Sequence, residues 1–241
     1  MHNFVIRNEA SFLYNAAFLC QEQKTGYDGS WQVAPFQCSI PHTDNCLENI
    51  RRTKREIETA FPELYDFGAC RAKKAYCSSK DTITKPSYNM RIENYKGNEI
   101  NQLQSIAKIG SKEIGSGGLV FSVFSPDDLV ERRRPGYVPC LIAGSFLEHQ
   151  GELQMNAFFR SQSVVEFGIF DLEFLRNMQI EMIDRISAIK HYKGNLSPGS
   201  LNLHFARILV QRRFCRNRKG HINRVDILDD WMRLVEEASF Y

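Results

Sequence analysis

The chain has 241 residues, with 31 Lys and Arg against 28 Asp and Glu, for a formal charge of +3. At 43% hydrophobic and 24% charged it can bury a core, which excludes intrinsic disorder, collagen and coiled coil for the chain as a whole and suits one domain over 1–241. So small a charge argues against nucleic acid as a partner, and no apolar run reaches the roughly 20 residues of a membrane helix. With no signal-like order at the start, a soluble, cytoplasmic protein is expected.

Residues 4–20 read as a helix, with Phe4, Ile6, Leu13, Ala17 and Cys20 near one face. Gly26, Asp28 and Gly29 mark a turn, and 31–40 reads as a strand. A polar helix follows over 47–60, stopped by Pro62, and 70–86, rich in Lys and Ser, reads as a mobile loop. A helix is predicted over 102–109, then a short apolar strand over 119–124, closed by the turn residues Ser125, Pro126 and Asp127. Strands over 140–146 and 153–159 pair as a hairpin around Gln150, Gly151 and Glu152. A long helix over 174–189 carries Leu175, Met178, Met182, Ile183 and Ile186 on one stripe. The chain breaks at 194–199, resumes as a strand over 201–210 and ends in a helix over 225–238. Strands alternating with helices, without a repeat or a linker, indicate one α/β (α+β) domain.

Seven cysteines are an odd number, widely spaced and without a C-x-x-C pair, which argues against a disulfide framework and against structural zinc. Most read as reduced thiols packed as small hydrophobes. Cys140 differs in its neighbours. It follows Pro139 at a strand start, behind Arg132, Arg133 and Arg134, and Arg160 ends the paired strand. A hairpin brings such positions together, and guanidinium groups lower a thiol pKa, as a nucleophilic cysteine requires.

Several blocks occur in a telling order: Asn101-Gln102-Leu103, then the run from Val120 to Leu129, then Val138-Pro139-Cys140, Gly151-Glu152-Leu153 and Phe159-Arg160-Ser161. With Tyr88 and Arg91 upstream and Pro198-Gly199 downstream, the chain resembles the thymidylate synthase and pyrimidine nucleotide hydroxymethylase family over about 88–211. The resemblance implies a thymidylate-synthase-like fold, a large mixed sheet flanked by helices, with one sheet face used for a homodimer. It implies Cys140 as the nucleophile that adds to C6 of a pyrimidine nucleotide, with 5,10-methylenetetrahydrofolate as one-carbon donor. Arg160 is then the phosphate ligand that also polarises the thiol, Ser161 a second phosphate contact, and Tyr88 part of the substrate-binding set. Glu58 is the candidate for the carboxylate that relays protons.

The chain also departs from the pattern. Where the family reads uracil with Asn, this chain has Asp171, which suits the N3 and 4-amino edge of cytosine and is similar to the cytidylate hydroxymethylases. Asp171 is equally suited to cap a helix starting at Leu172. The arginine pair that a partner subunit lends falls at 116–118 and is lost, and the sugar-binding His-x-Tyr is replaced by Leu209 and Gln211. Ser163 stands for an aspartate and Leu141 for a histidine. Arg207, with Arg212, Arg213, Arg216 and Arg218, either rebuilds an anion site or forms a solvated basic face, the plainer reading. His204 reads as a satisfied core or edge histidine. The function expected is C5 hydroxymethylation or methylation of a cytidine nucleotide, CMP or dCMP. The alternative is an altered or inactive nucleotide-binding protein acting as an interaction module.

Overall fold

A computed structural model describes residues 6–23, 31–81, 87–95, 100–130, 138–190, 192–211, 213–217, 220–223 and 225–240. Helix α1 (Glu9–Gln23) begins later than its apolar pattern suggests, because Asn8 and Ser11 form a reciprocal cap. The Ser11 N–H donates to Asn8 Oδ1 and the Asn8 N–H to Ser11 Oγ, both at 3.0 Å. The turn expected at Gly26 lies outside the described residues.

The single strand predicted over 31–40 is two strands in two sheets: β1 (Trp31–Val33) and β2 (Phe36–Ile40). Pro35 lies between them and has no N–H to continue a ladder. Helix α2 (Cys46–Ala60) is as expected, but Pro62 opens a further helix, α3 (Pro62–Tyr76). Proline is as acceptable in a first turn as it is disruptive in an interior. The loop predicted from Cys70 is thus helical to Tyr76, while 82–86 lies outside the described residues. Ser87 caps the short α4 (Tyr88–Glu93) and Asn101 caps α5 (Gln102–Gly110), each accepting an N–H three residues on.

Strand β3 (Val120–Ser122) and the one-turn α6 (Asp127–Val130) precede the hairpin of β4 (Leu141–His149) and β5 (Glu152–Phe159). Its two-residue turn holds Gln150 at φ 55° and Gly151 at φ 83°, the left-handed pair that matches strand twist. After β6 (Gln162–Ser163), helix α7 (Val164–Ser187) starts well before the predicted 174. Its predicted stripe, Leu175, Met178, Met182, Ile183 and Ile186, is buried. The predicted strand over 201–210 divides into β7 (Ser197–Phe205) and β8 (Ile208–Val210). A hairpin of β9 (Arg213–Asn217) and β10 (Gly220–Asn223) leads to α8 (Val225–Ala238), which matches its prediction.

The architecture is mixed α/β. One sheet has the order β2-β7-β5-β4-β3, with β5 and β7 parallel and the other pairs antiparallel, and a second has the order β1-β8-β6. Period-two burial marks the inner face of the larger sheet: Leu153, Met155, Ala157 and Phe159 on β5, and Leu201, Leu203 and Phe205 on β7. Helix α7 packs on those strands and on α1, α2, α3 and α5. Buried Arg176 ties it in place. Its Nε donates to Glu9 Oε1 at 2.7 Å, and its Nη atoms donate to Gln179 and to the carbonyls of Gly199, Ile40 and Pro41. Among the described residues no helix is long and apolar enough to cross a membrane.

Candidate functional site

The β4–β5 ladder decides where the thiol and the arginine meet. Leu141 pairs with Phe159, so Cys140 and Arg160 face each other one step beyond, and the Arg160 N–H donates to the Cys140 carbonyl at 2.9 Å. The register shifts between Leu141 and Ala143, leaving Ile142 as a bulge. A bulge bends the strand and re-aims the side chains beside it. Arg160 Nη2 then lies 3.9 Å from Cys140 Sγ, as the hairpin pattern leads one to expect.

The same guanidinium also holds the entry to β4. Its Nε donates to the carbonyls of Val138 and Pro139 at 3.1 and 3.0 Å, and Nη2 to Val138 at 2.6 Å. Buried Tyr88 braces the thiol from the other side. Its Oη accepts the Cys140 N–H at 3.0 Å and the Leu141 N–H at 3.4 Å, and its ring packs on Tyr76 and Phe174. Tyr88, expected among the substrate contacts, therefore spends its hydroxyl on the backbone of the cysteine, and burial pushes its phenol pKa up.

The thiol is not the ready thiolate that neighbouring arginines suggested. Burial raises the Cys140 pKa, and the opposing pull of Arg160, Arg207 and Arg71 does not overcome it. Arg71 falls in the part of α3 that the sequence reads as a loop from residue 70. The signal was present: Leu64, Gly68 and Ala72 repeat every four residues and are the buried positions of α3.

Ser161 and Arg207 join the same corner. The turn between β7 and β8 carries Arg207 across from one sheet to the other, where its Nε donates to the hydroxyl of buried Ser161 at 3.2 Å. The Gln162 N–H donates to the Arg207 carbonyl at 3.0 Å, and the Gln162 side chain donates to Asp171 Oδ2. One glutamine thus connects the Arg207 turn to Asp171. Asp171 lies inside α7 and does not cap it; Ser163 stands at the N-cap. Burial raises the Asp171 carboxyl well above the usual carboxylate range and favours its protonated form.

Glu58 is not brought to this corner. It is exposed near the end of α2, where its charge acts on Tyr65 and not on Cys140. Leu209 is buried and Ser163 donates to Glu166, so neither offers a polar group to a ligand in the positions expected of a sugar or folate contact. His204 stacks on Phe158 at 4.8 Å on the outer face of the larger sheet. Arg132, Arg133, Arg134, Arg212 and Arg218 lie outside the described residues, as do the side chains of Arg213 and Arg216.

Two concavities lie on the surface, one of which reaches Arg160, and Cys140 lines neither. A depression of about 610 Å³ runs over the outer sheet face to Arg160, past Phe158 and His204. A cleft of about 340 Å³ between α2, α3 and α7 is walled by Tyr65, Tyr76, Phe170 and Phe174, with Lys54, Lys73 and Asn177 at hand. Among the described residues no group of three His, Cys, Asp or Glu side chains is arranged to hold a metal. No protein-family model matches the chain, and comparison with curated proteins returns no match.

Proposed function

We propose that the chain is a pyrimidine-nucleotide C5 transferase of the thymidylate synthase type that adds a hydroxymethyl or methyl group to a cytidine nucleotide, CMP or dCMP. The observation that supports it most is the pairing of Cys140 with Arg160 across the strand ends, with Ser161 and Arg207 at the adjoining corner. Arg160 Nη1 makes no hydrogen bond among the described residues and, with Arg207 and the Ser161 hydroxyl, suits a phosphate dianion. A phosphate there would fix the pyrimidine against the thiol. Addition of the Cys140 thiolate to C6 turns C5 into a carbon nucleophile and splits one hard substitution into two easier steps. In this reading Asp171, whose burial favours the protonated carboxyl and whose Oδ2 accepts from Gln162, supplies the donor and acceptor that complement the N3 and 4-amino edge of cytosine.

Methylenetetrahydrofolate, when bound, supplies the one-carbon unit. For its flat rings and carboxylates the cleft between α2, α3 and α7 offers the stacked pair of Tyr76 and Phe174, the amide of Asn177 and the ammonium of Lys73, with the Glu173 carboxylate paired to Lys54. A homodimer belongs to this reading, since the outer sheet face exposes Val120 (52%), Leu147 (48%) and Phe158 (43%). Sedimentation showing only monomer at all concentrations contradicts that part.

The test is incubation with CMP, dCMP, UMP or dUMP and methylenetetrahydrofolate, with product mass as the readout. A hydroxymethyl or methyl gain on a cytidine nucleotide, lost in Cys140→Ser, is expected; no gain on any of the four overturns the reading. One observation favours a second reading, a nucleotide-binding module without turnover: the thiol is held protonated and Arg160 is partly engaged with backbone carbonyls. That protein would bind the nucleotide in calorimetry and leave its mass unchanged.

A further inference from the structure

We propose that Glu173, on the wall of the cleft between α2, α3 and α7, recognises the ring of the one-carbon donor. Its carboxylate accepts from the 2-amino group and the adjoining ring N–H of a 2-amino-4-oxopyrimidine, the edge that a reduced pterin presents. The inference rests on the reading of this cleft as the donor site and names a residue that the resemblance does not supply. The cleft itself follows from helical spacing. Ala69, Ala72 and Tyr76 share one face of α3, and Phe170, Glu173 and Phe174 share the facing side of α7. Towards one end the two helices touch, since a Cβ built on Gly68 would lie 2.2 Å from the Glu166 carbonyl oxygen and only glycine fits. Towards the other, Tyr76 stacks on Phe174 at 4.3 Å. Between those contacts α3 contributes two alanines, whose small side chains leave a volume of about 340 Å³ open.

An ion pair is set into this aromatic wall. Lys54 Nζ, from α2, lies 2.5 Å from Glu173 Oε2 and 5.1 Å from the centroid of the Phe170 ring. The lysine is thus fixed from two sides and holds the half-buried carboxylate in one place. Among the described residues Glu173 Oε1 takes no hydrogen bond, and each carboxylate oxygen can accept more than one. Two acceptors side by side against flat rings complement an amino group and a ring N–H in one plane. A ring without the amino group leaves one acceptor unanswered. Lys54 and Lys73 against Glu173 leave the cleft one positive charge in excess, which suits a neutral ring with an anionic tail. The rings of Tyr76 and Phe174 also pack on Tyr88, whose hydroxyl accepts the Cys140 N–H at 3.0 Å. The cleft therefore backs onto the residue that braces the thiol.

Two exposed thiols make the site readable, since Cys77 lines the cleft and Cys70, on the same helix, does not. The experiment measures binding of 5-formyltetrahydrofolate and of its 2-desamino analogue to the full-length chain by calorimetry. In parallel, iodoacetamide alkylation of Cys77 and Cys70 is followed by peptide mass spectrometry. In the wild type the folate is expected to bind about tenfold more tightly than the analogue and to protect Cys77 but not Cys70. Glu173→Gln keeps the shape of the side chain and removes the charge and one acceptor. It should weaken the folate about tenfold, as loss of one charge-assisted hydrogen bond implies, and leave the analogue unchanged. Protection of Cys77 with equal affinity for the two ligands in the wild type overturns the role of Glu173 and leaves the cleft standing as the donor site. An equal effect of Glu173→Gln on both ligands, including none, does the same. Absence of folate binding to the wild type, or binding that leaves Cys77 unprotected, overturns the cleft as the donor site.

Discussion

Tyr88→Phe removes one oxygen and leaves the ring, so it isolates the brace behind the thiol. The phenol oxygen accepts two backbone N–H groups, from Cys140 at 3.0 Å and Leu141 at 3.4 Å, in a side chain that is only 7% exposed. An orphaned buried donor costs about 1–3 kcal/mol, and the longer bond counts for less, so the expected loss is about 2 kcal/mol. Contacts of the ring with Tyr76 and Phe174, at centroid distances of 5.4 and 6.4 Å, survive the change. For a chain of this size that loss lowers Tm by about 4–8 °C. Urea denaturation should give the same loss with an unchanged m-value, because the area buried on folding is the same. A loss below about 0.5 kcal/mol refutes the reasoning, since the two N–H groups would then have other partners.

Asp171→Asn should have an effect that depends on pH. The folded carboxyl binds its proton more tightly than the unfolded one, so its contribution to stability is fully present below the ordinary value of 3.8 and declines as pH rises towards the raised folded value. The asparagine variant should therefore gain on the wild type as pH rises from about 4 in chemical denaturation; a pH-independent difference contradicts a raised Asp171 pKa. Glu9→Gln leaves the Arg176 charge, fully buried at 0% side-chain exposure, without its counter-ion, and should cost about 3–5 kcal/mol by the same assay. Cysteine alkylation should follow exposure and pKa. Cys70 and Cys77 are exposed and react first, and Cys20 and Cys38, pushed up to about 12 by burial, react last. Peptide mass spectrometry of a time course reads the order directly.

The sequence was legible where period and punctuation agree. The hairpin turn at Gln150 and Gly151, the helix over 102–109 and the stripe of α7 are each local signals, and each appears in the structure. It was illegible where one signal serves two outcomes. Pro62 can end a helix or begin one, and only the packing of Leu64, Gly68 and Ala72 against the rest of the chain selects the second. The runs over 31–40 and 201–210 each look continuous, yet both cross between sheets, because strand pairing is a long-range event. The candidate site divides along the same line. Cys140 and Arg160 are brought together by hairpin register, which alternation can forecast. The raised pKa values of the Cys140 thiol and the Asp171 carboxyl come from burial, which no local window contains.

The central claim is that Cys140 adds to C6 of a pyrimidine nucleotide, and exchange at C5 tests it most directly. Incubated with CMP or dCMP tritiated at C5, the wild-type chain is predicted to release tritium to water, and Cys140→Ser to release none. Equal release from the two proteins, or none from the wild type, contradicts the claim.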